Sequence, residues 1–155
     1  MKIKLIQIGK TQQGYLVQGI EFYEQRLKNY IAYSVETIQA IKQAGSADHL
    51  KVREGDLILA KLKPGDKLIL LDERGKTYNS VGFSDFLQVQ MNQSTKQMVV
   101  VIGGAFGFSE SVYKRANSMI SLSEMTFSHQ LIRLIFMEQL YRAMTILHNH
   151  PYHHE

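Results

Sequence analysis

The sequence predicts an α/β fold, a mostly parallel sheet flanked by helices, and two observations carry that reading. The runs 67–72 (KLILLD) and 97–104 (QMVVVIGG) are apolar almost without a break and are bounded by turn residues. A strand with one wet face alternates polar and apolar residues, so such runs mark central parallel strands covered on both faces. Around them, helical stripes and strand-like runs alternate along the whole chain, the βαβ succession of a parallel sheet. No linker or repeat interrupts the succession, and 155 residues with 45% hydrophobic content can bury one sizeable core, so 1–155 reads as a single domain.

Taken in order, KIKLIQI at 2–8 is the first strand, and Leu16, Ile20, Tyr23, Leu27 and Ile31 recur at the spacing of an amphipathic helix. A short strand is expected near 35–41. Gly45 and Ser46 break the chain and cap a second helix that carries Leu50, Leu57 and Leu62 and stops at Pro64 and Gly65. After the strand at 67–72, Ser84 caps a helix through Met91; after the strand at 97–102, Ser109 caps one through Ala116. MISLS at 119–123 is the last strand.

The last helix, expected over 126–147, has apolar residues on too many faces for a one-sided surface helix. Either the domain wraps it or a second subunit covers it, and the second option implies a homodimer. Pro151 ends it, because proline cannot continue the hydrogen-bonded ladder. Four of the six histidines lie in the last eight residues, where fraying is the ordinary expectation.

Several function classes are excluded. The chain has no cysteine, hence no disulfide framework and no thiolate metal site. His148 and His150 are two residues apart and His153 and His154 adjacent, which is not the placement of a zinc-binding helix, so no metal is expected. The short apolar run at the N-terminus is neither a signal peptide nor a membrane span, and a cytoplasmic protein without membrane contact is the expectation. GGAFG is not a dinucleotide fingerprint and no P-loop is present. Net charge is +4, and its excess is N-terminal: residues 1–63 hold ten Lys or Arg against six Asp or Glu, and 64–155 hold eight of each. Such a bias favours a polyanion such as RNA.

Open parallel sheets bind ligands beyond the carboxyl ends of their strands. Three loops are placed there, 71–75, 103–107 and 122–127. Adjacent Gly103 and Gly104 fit a ligand approaching the backbone closely, or equally a tight turn needing positive φ.

LLDERGK, VVIGGAFGF, SLSEMTFSH, EQLYRA and the terminal NHPYHHE, in this order and spacing, resemble the RlmH family of the SPOUT class over essentially the whole chain. The resemblance implies a single-domain SPOUT fold with a C-terminal trefoil knot, working as a homodimer. It implies methyl transfer from S-adenosylmethionine to N3 of a pseudouridine in bacterial large-subunit (23S) rRNA, within the ribosome. Cofactor contacts then fall at Leu71, at Gly103, and at Leu122, Ser123, Glu124, Met125, Thr126 and Phe127. Arg142 in EQLYRA and Tyr152 and His153 of the tail are the implied catalytic residues; Arg142 also stands four residues after Glu138, the spacing of a helical ion pair. His129 and His154 are candidate substrate contacts. Ser128 stands where the family commonly has proline, and His154 where a basic residue precedes the final glutamate. Ser128 still suits a helix cap. Two other classes stay open: a ribosome-binding protein that kept the fold without catalysis, and an oxidoreductase, for which the fingerprint is missing.

Overall fold

A computed structural model describes residues 1–42 and 45–153. The elements run β1 (Lys2–Ile8), α1 (Gly14–Leu27), β2 (Ala32–Ile38), α2 (Ala47–Leu59), β3 (Lys67–Thr77), α3 (Ser80–Asn92), β4 (Gln97–Ile102), α4 (Glu110–Arg115), β5 (Ser118–Ser121) and α5 (Leu131–Leu147). The five strands form one parallel sheet in the order β2-β1-β4-β3-β5.

The apolar runs are explained by what covers each face. Ile3, Leu5, Ile69, Met98 and Val100 point to one side, where α5 packs against both α1 and α3. Ile6, Ile8, Leu68, Leu70, Val99 and Val101 point to the other, under α2 and α4. Helix α5 is therefore wrapped within its own chain. Phe136, Met137, Leu140 and Met144 are fully buried, and no residue of α5 is exposed.

Boundaries move for local reasons. α3 begins five residues earlier than expected, because Asn79 caps it by accepting from Gly82 N at 2.7 Å. Ser84 lies inside that helix and donates back to Val81 O. Ser46 does cap α2, accepting from His49 N at 3.2 Å. Ser109 precedes α4 but makes no capping bond. β2 ends at Ile38 rather than Ile41, and β5 ends at Ser121. α5 ends in a Schellman motif: His150 N donates to Thr145 O and Asn149 N to Ile146 O, with Asn149 left-handed at φ 54°. Pro151 follows that stop rather than making it.

Candidate active site

The ends of β3, β4 and β5 converge on a cleft of about 780 Å³. β3 does not end at Asp72 as expected; it continues to Thr77 through an irregularity in which both Leu71 and Lys76 align with Ile120. The returning chain passes so close to β5 that a Cβ on Gly75 would lie 2.5 Å from the Ile120 backbone. The residues between bulge toward the cleft. There Asp72 accepts from Arg74 N at 2.9 Å, from Arg74 Nε at 3.1 Å and from Tyr113 OH at 2.5 Å. The Arg74 guanidinium also stands 4.6 Å from the centre of the Tyr113 ring. Burial pushes the Asp72 carboxyl upward, but the bonds from Arg74 and Tyr113 outweigh it and hold the group below the ordinary carboxylate range. The cleft thus carries a fixed Asp72–Arg74 ion pair, in a loop whose residue types alone gave it no role.

The β4 loop answers the question left by the two glycines. Neither Gly103 nor Gly104 has positive φ; that falls on Gly107, at 77°. A Cβ on Gly103 would meet the Phe108 ring at 3.1 Å, and one on Gly104 would meet Glu54 Oε2 at 2.7 Å. The glycines let the loop lie against the protein behind it, which leaves its other side free for a ligand. Burial raises the Glu54 carboxyl.

The β5 loop, 122–130, replaces the first turn expected for the last helix. Its serines hold it: Ser121 Oγ donates to Ser123 O at 2.7 Å, and Met125 N donates to Ser123 Oγ at 2.9 Å. Ser128 accepts from Leu131 N at 3.2 Å and so steadies the turn leading into α5, but the N-cap position itself is Gln130, which makes no side-chain capping bond.

Of the expected cofactor residues, Leu71, Gly103, Leu122 and Ser123 line the cleft, as do Met125, Thr126 and Phe127. Glu124 is exposed and does not. His129 is exposed on the same cleft, beside Ile132. One turn on, Arg133 is buried to 1% exposure and donates to Ile8 O, Gly9 O and Thr11 Oγ1 at 2.6–3.0 Å. It faces no carboxylate among these partners, and burial lowers its pKa.

Arg142, Tyr152 and His153 form a second cluster at the far end of α5. Arg142 Nη2 donates to Glu138 Oε1 at 2.6 Å, and Nη1 lies 3.4 Å from His153 Nδ1. The Tyr152 ring packs edge-on against Tyr141 at 4.8 Å, and its hydroxyl donates to Glu138 at 3.2 Å and meets Tyr23 OH at 3.4 Å. The tail through His153 is therefore docked, not frayed. Burial and the bond with Tyr23 raise the Tyr152 phenol, so at neutral pH it is a hydrogen-bond donor and not a base. Tyr23 and Glu138 enter the site from outside the sequence candidates; Tyr23 had read as one member of a helical stripe. None of this cluster lines the cleft, and Arg142 stands ten residues past Ile132, about 15 Å along the helix. His154 lies outside the described residues. Among those residues no three His, Asp or Glu group as a metal site, and no helix is long and apolar enough to cross a membrane.

Comparison with known proteins identifies the family and the fold. A family model described as a predicted SPOUT methyltransferase matches residues 1–153. The ribosomal RNA large subunit methyltransferase H proteins of Parabacteroides distasonis and Flavobacterium johnsoniae are each 55% identical over 157 aligned positions, covering 100% of both chains. A probable methylase family protein from Haemophilus influenzae has the same fold, with TM-score 0.54 and 8% identity over 99% of this chain and 70% of that one. A parallel sheet whose β3, β4 and β5 loops enclose one cleft, matched over its full length by these relatives, places the chain in the SPOUT methyltransferase family.

Proposed function

We propose that this protein transfers a methyl group from S-adenosylmethionine to N3 of a pseudouridine in bacterial 23S rRNA, acting in the cytoplasm as a homodimer on the assembled ribosome. The observation that carries the reading is the cleft itself, which lies where Leu71, Gly103 and the 122–127 loop meet, the positions the resemblance assigns to the cofactor. Its volume of about 780 Å³ suits a nucleoside-sized ligand. Leu71, Leu122 and Phe127 supply apolar walls for an adenine.

When bound, that cofactor supplies an already electrophilic methyl group, so the protein's task is placement and proton removal. The N3–CH₃ bond forms as the S–CH₃ bond breaks, and the N3 proton must leave. His153 accepts it, Arg142 stabilises the imide anion, and Tyr152 stacks on the base or redirects to it the hydroxyl proton it gives to Glu138. His129, at the mouth of the cleft, and His154 contact the RNA. Because Arg142 and the tail stand about 15 Å along α5 from the cleft of their own chain, the site is completed by laying the tail cluster of one subunit across the cleft of the other. The basic N-terminal excess contributes less than its count suggests, since Lys4 and Lys61 both pair with Glu36.

The test is incubation with labelled S-adenosylmethionine and ribosomes lacking this modification, followed by mass-spectrometric mapping. Label on N3 of a large-subunit pseudouridine is expected. Cofactor binding without label on any ribosomal RNA would refute the reaction, and absence of cofactor binding would refute the site.

A further inference from the structure

The rim of the cleft carries an aromatic ring that the reaction as described does not use. Phe106 sits in the turn 104–107, closed by Gly107 N donating to Gly104 O at 3.2 Å and by the left-handed Gly107. Its side chain lines the cleft yet is 57% exposed, and among the described residues it has no ring or cation partner. Met125, 76% exposed, lines the same cleft from the β5 loop. In the order β4-β3-β5 these two loops flank the end of β3, so both apolar side chains stand at the edges of the cleft.

Single exposed apolar side chains are common and by themselves mean nothing. This one is held by a short hydrogen-bonded turn at the entrance to the place where methyl transfer would occur. A base inside an RNA stack cannot bring its N3 to a methyl group within a cleft; it must first unstack, and proteins offset that loss with aromatic rings. The adenine of the cofactor is a poorer occupant for the ring. Leu71, Leu122 and Phe127, each less exposed than Phe106, already wall the interior.

Resting on the methyltransferase reading, we propose that Phe106 stacks on the target nucleobase of the RNA as it enters the cleft. It is a substrate-binding residue that reads the flat face of the base and not its hydrogen-bonding edge. Because the ring is exposed, its removal leaves the fold intact, which equal thermal melts of Phe106→Ala and wild type would verify.

The experiment compares wild type, Phe106→Ala and Phe106→Tyr in single-turnover methylation of unmodified ribosomes, together with cofactor affinity by calorimetry and mass by light scattering. Phe106→Ala is expected to lower efficiency toward the ribosome roughly 10- to 100-fold, the usual range for one lost base–aromatic stack, while Phe106→Tyr stays close to wild type. Cofactor affinity and oligomeric state are expected to stay unchanged. Unaltered efficiency of Phe106→Ala overturns the proposal. So does an equal loss of cofactor affinity, which would make the ring a cofactor wall, and so does dissociation into monomers, which would make it a subunit contact. A wild-type protein that labels no RNA overturns the methyltransferase reading, and the stacking role falls with it.

Discussion

Replacing Arg133 by methionine separates two opposing effects of a buried cation. Arg133 is 1% exposed, its three bonds go to Ile8 O, Gly9 O and Thr11 Oγ1, and among the described residues its Nε has no partner. Burying an unpaired ion costs several kcal/mol, and methionine of similar length would remove that cost. Against this, each hydrogen bond from a charged donor contributes about 1.5–3 kcal/mol, and Ile8 O, the one buried acceptor of the three, costs about 1–3 kcal/mol if left without a donor. Three such bonds outweigh one desolvation, so Arg133→Met is expected to lose about 2–4 kcal/mol. For a chain of this size that is a fall in Tm of roughly 4–16 °C. Lysine keeps the charge but lacks the planar fork that spans three acceptors, so Arg133→Lys is expected to recover only part of the loss. Urea unfolding followed by circular dichroism measures both. A methionine variant as stable as wild type, or more so, would show that desolvation dominates and refute the reasoning.

Asp72→Asn is expected to be less stable than wild type at pH 7. Because the folded pKa of Asp72 is depressed, its contribution is present above the unfolded value near 4 and is lost as pH falls through the folded value, so urea midpoints at pH 7 and pH 3 should show the gap closing on the acid side. Glu54 has the opposite sign: with its folded pKa raised, the native state loses stability as pH rises from the unfolded value through the folded one, so Glu54→Gln is expected to raise Tm at pH 7 and to change little at pH 3. Gly75→Ala is expected to destabilise by about 1–3 kcal/mol or more, because the clash is with the Ile120 backbone and not with a movable side-chain end; a scanning melt would reveal it. Tyr152→Phe keeps the ring against Tyr141 and removes the bonds to Glu138 and Tyr23, so single-turnover methylation should slow while cofactor affinity holds.

The sheet was legible because its central strands must be apolar on both faces, a pattern that 67–71 and 97–102 satisfy without help from the rest of the chain. The cleft was legible for the same reason, since strand ends fix where loops converge. Details set by single bonds were less so. Asn79 displaced Ser84 as a cap because both residue types can accept from a helix N-terminus and only the packed structure chooses. Asp72, Arg74 and Tyr113 meet across 41 residues of sequence, and no local pattern announces that contact. Arg133 looks like a surface arginine in a helix until the end of β1 supplies its carbonyls. Tyr23 joins Tyr152 across 129 residues in the same way.

The claim most exposed to a direct test is that cleft and tail come from different subunits. Two inactive variants would be prepared, Leu122→Glu to block the cofactor cleft and His153→Ala with Tyr152→Ala to disable the tail, then mixed, dissociated and reassembled. In a symmetric dimer half of the reassembled pairs are mixed and each has one intact site, so methylation returning to about a quarter of wild type is expected. A mixture as inactive as its two components would mean that each chain completes its own site, contradicting the shared one.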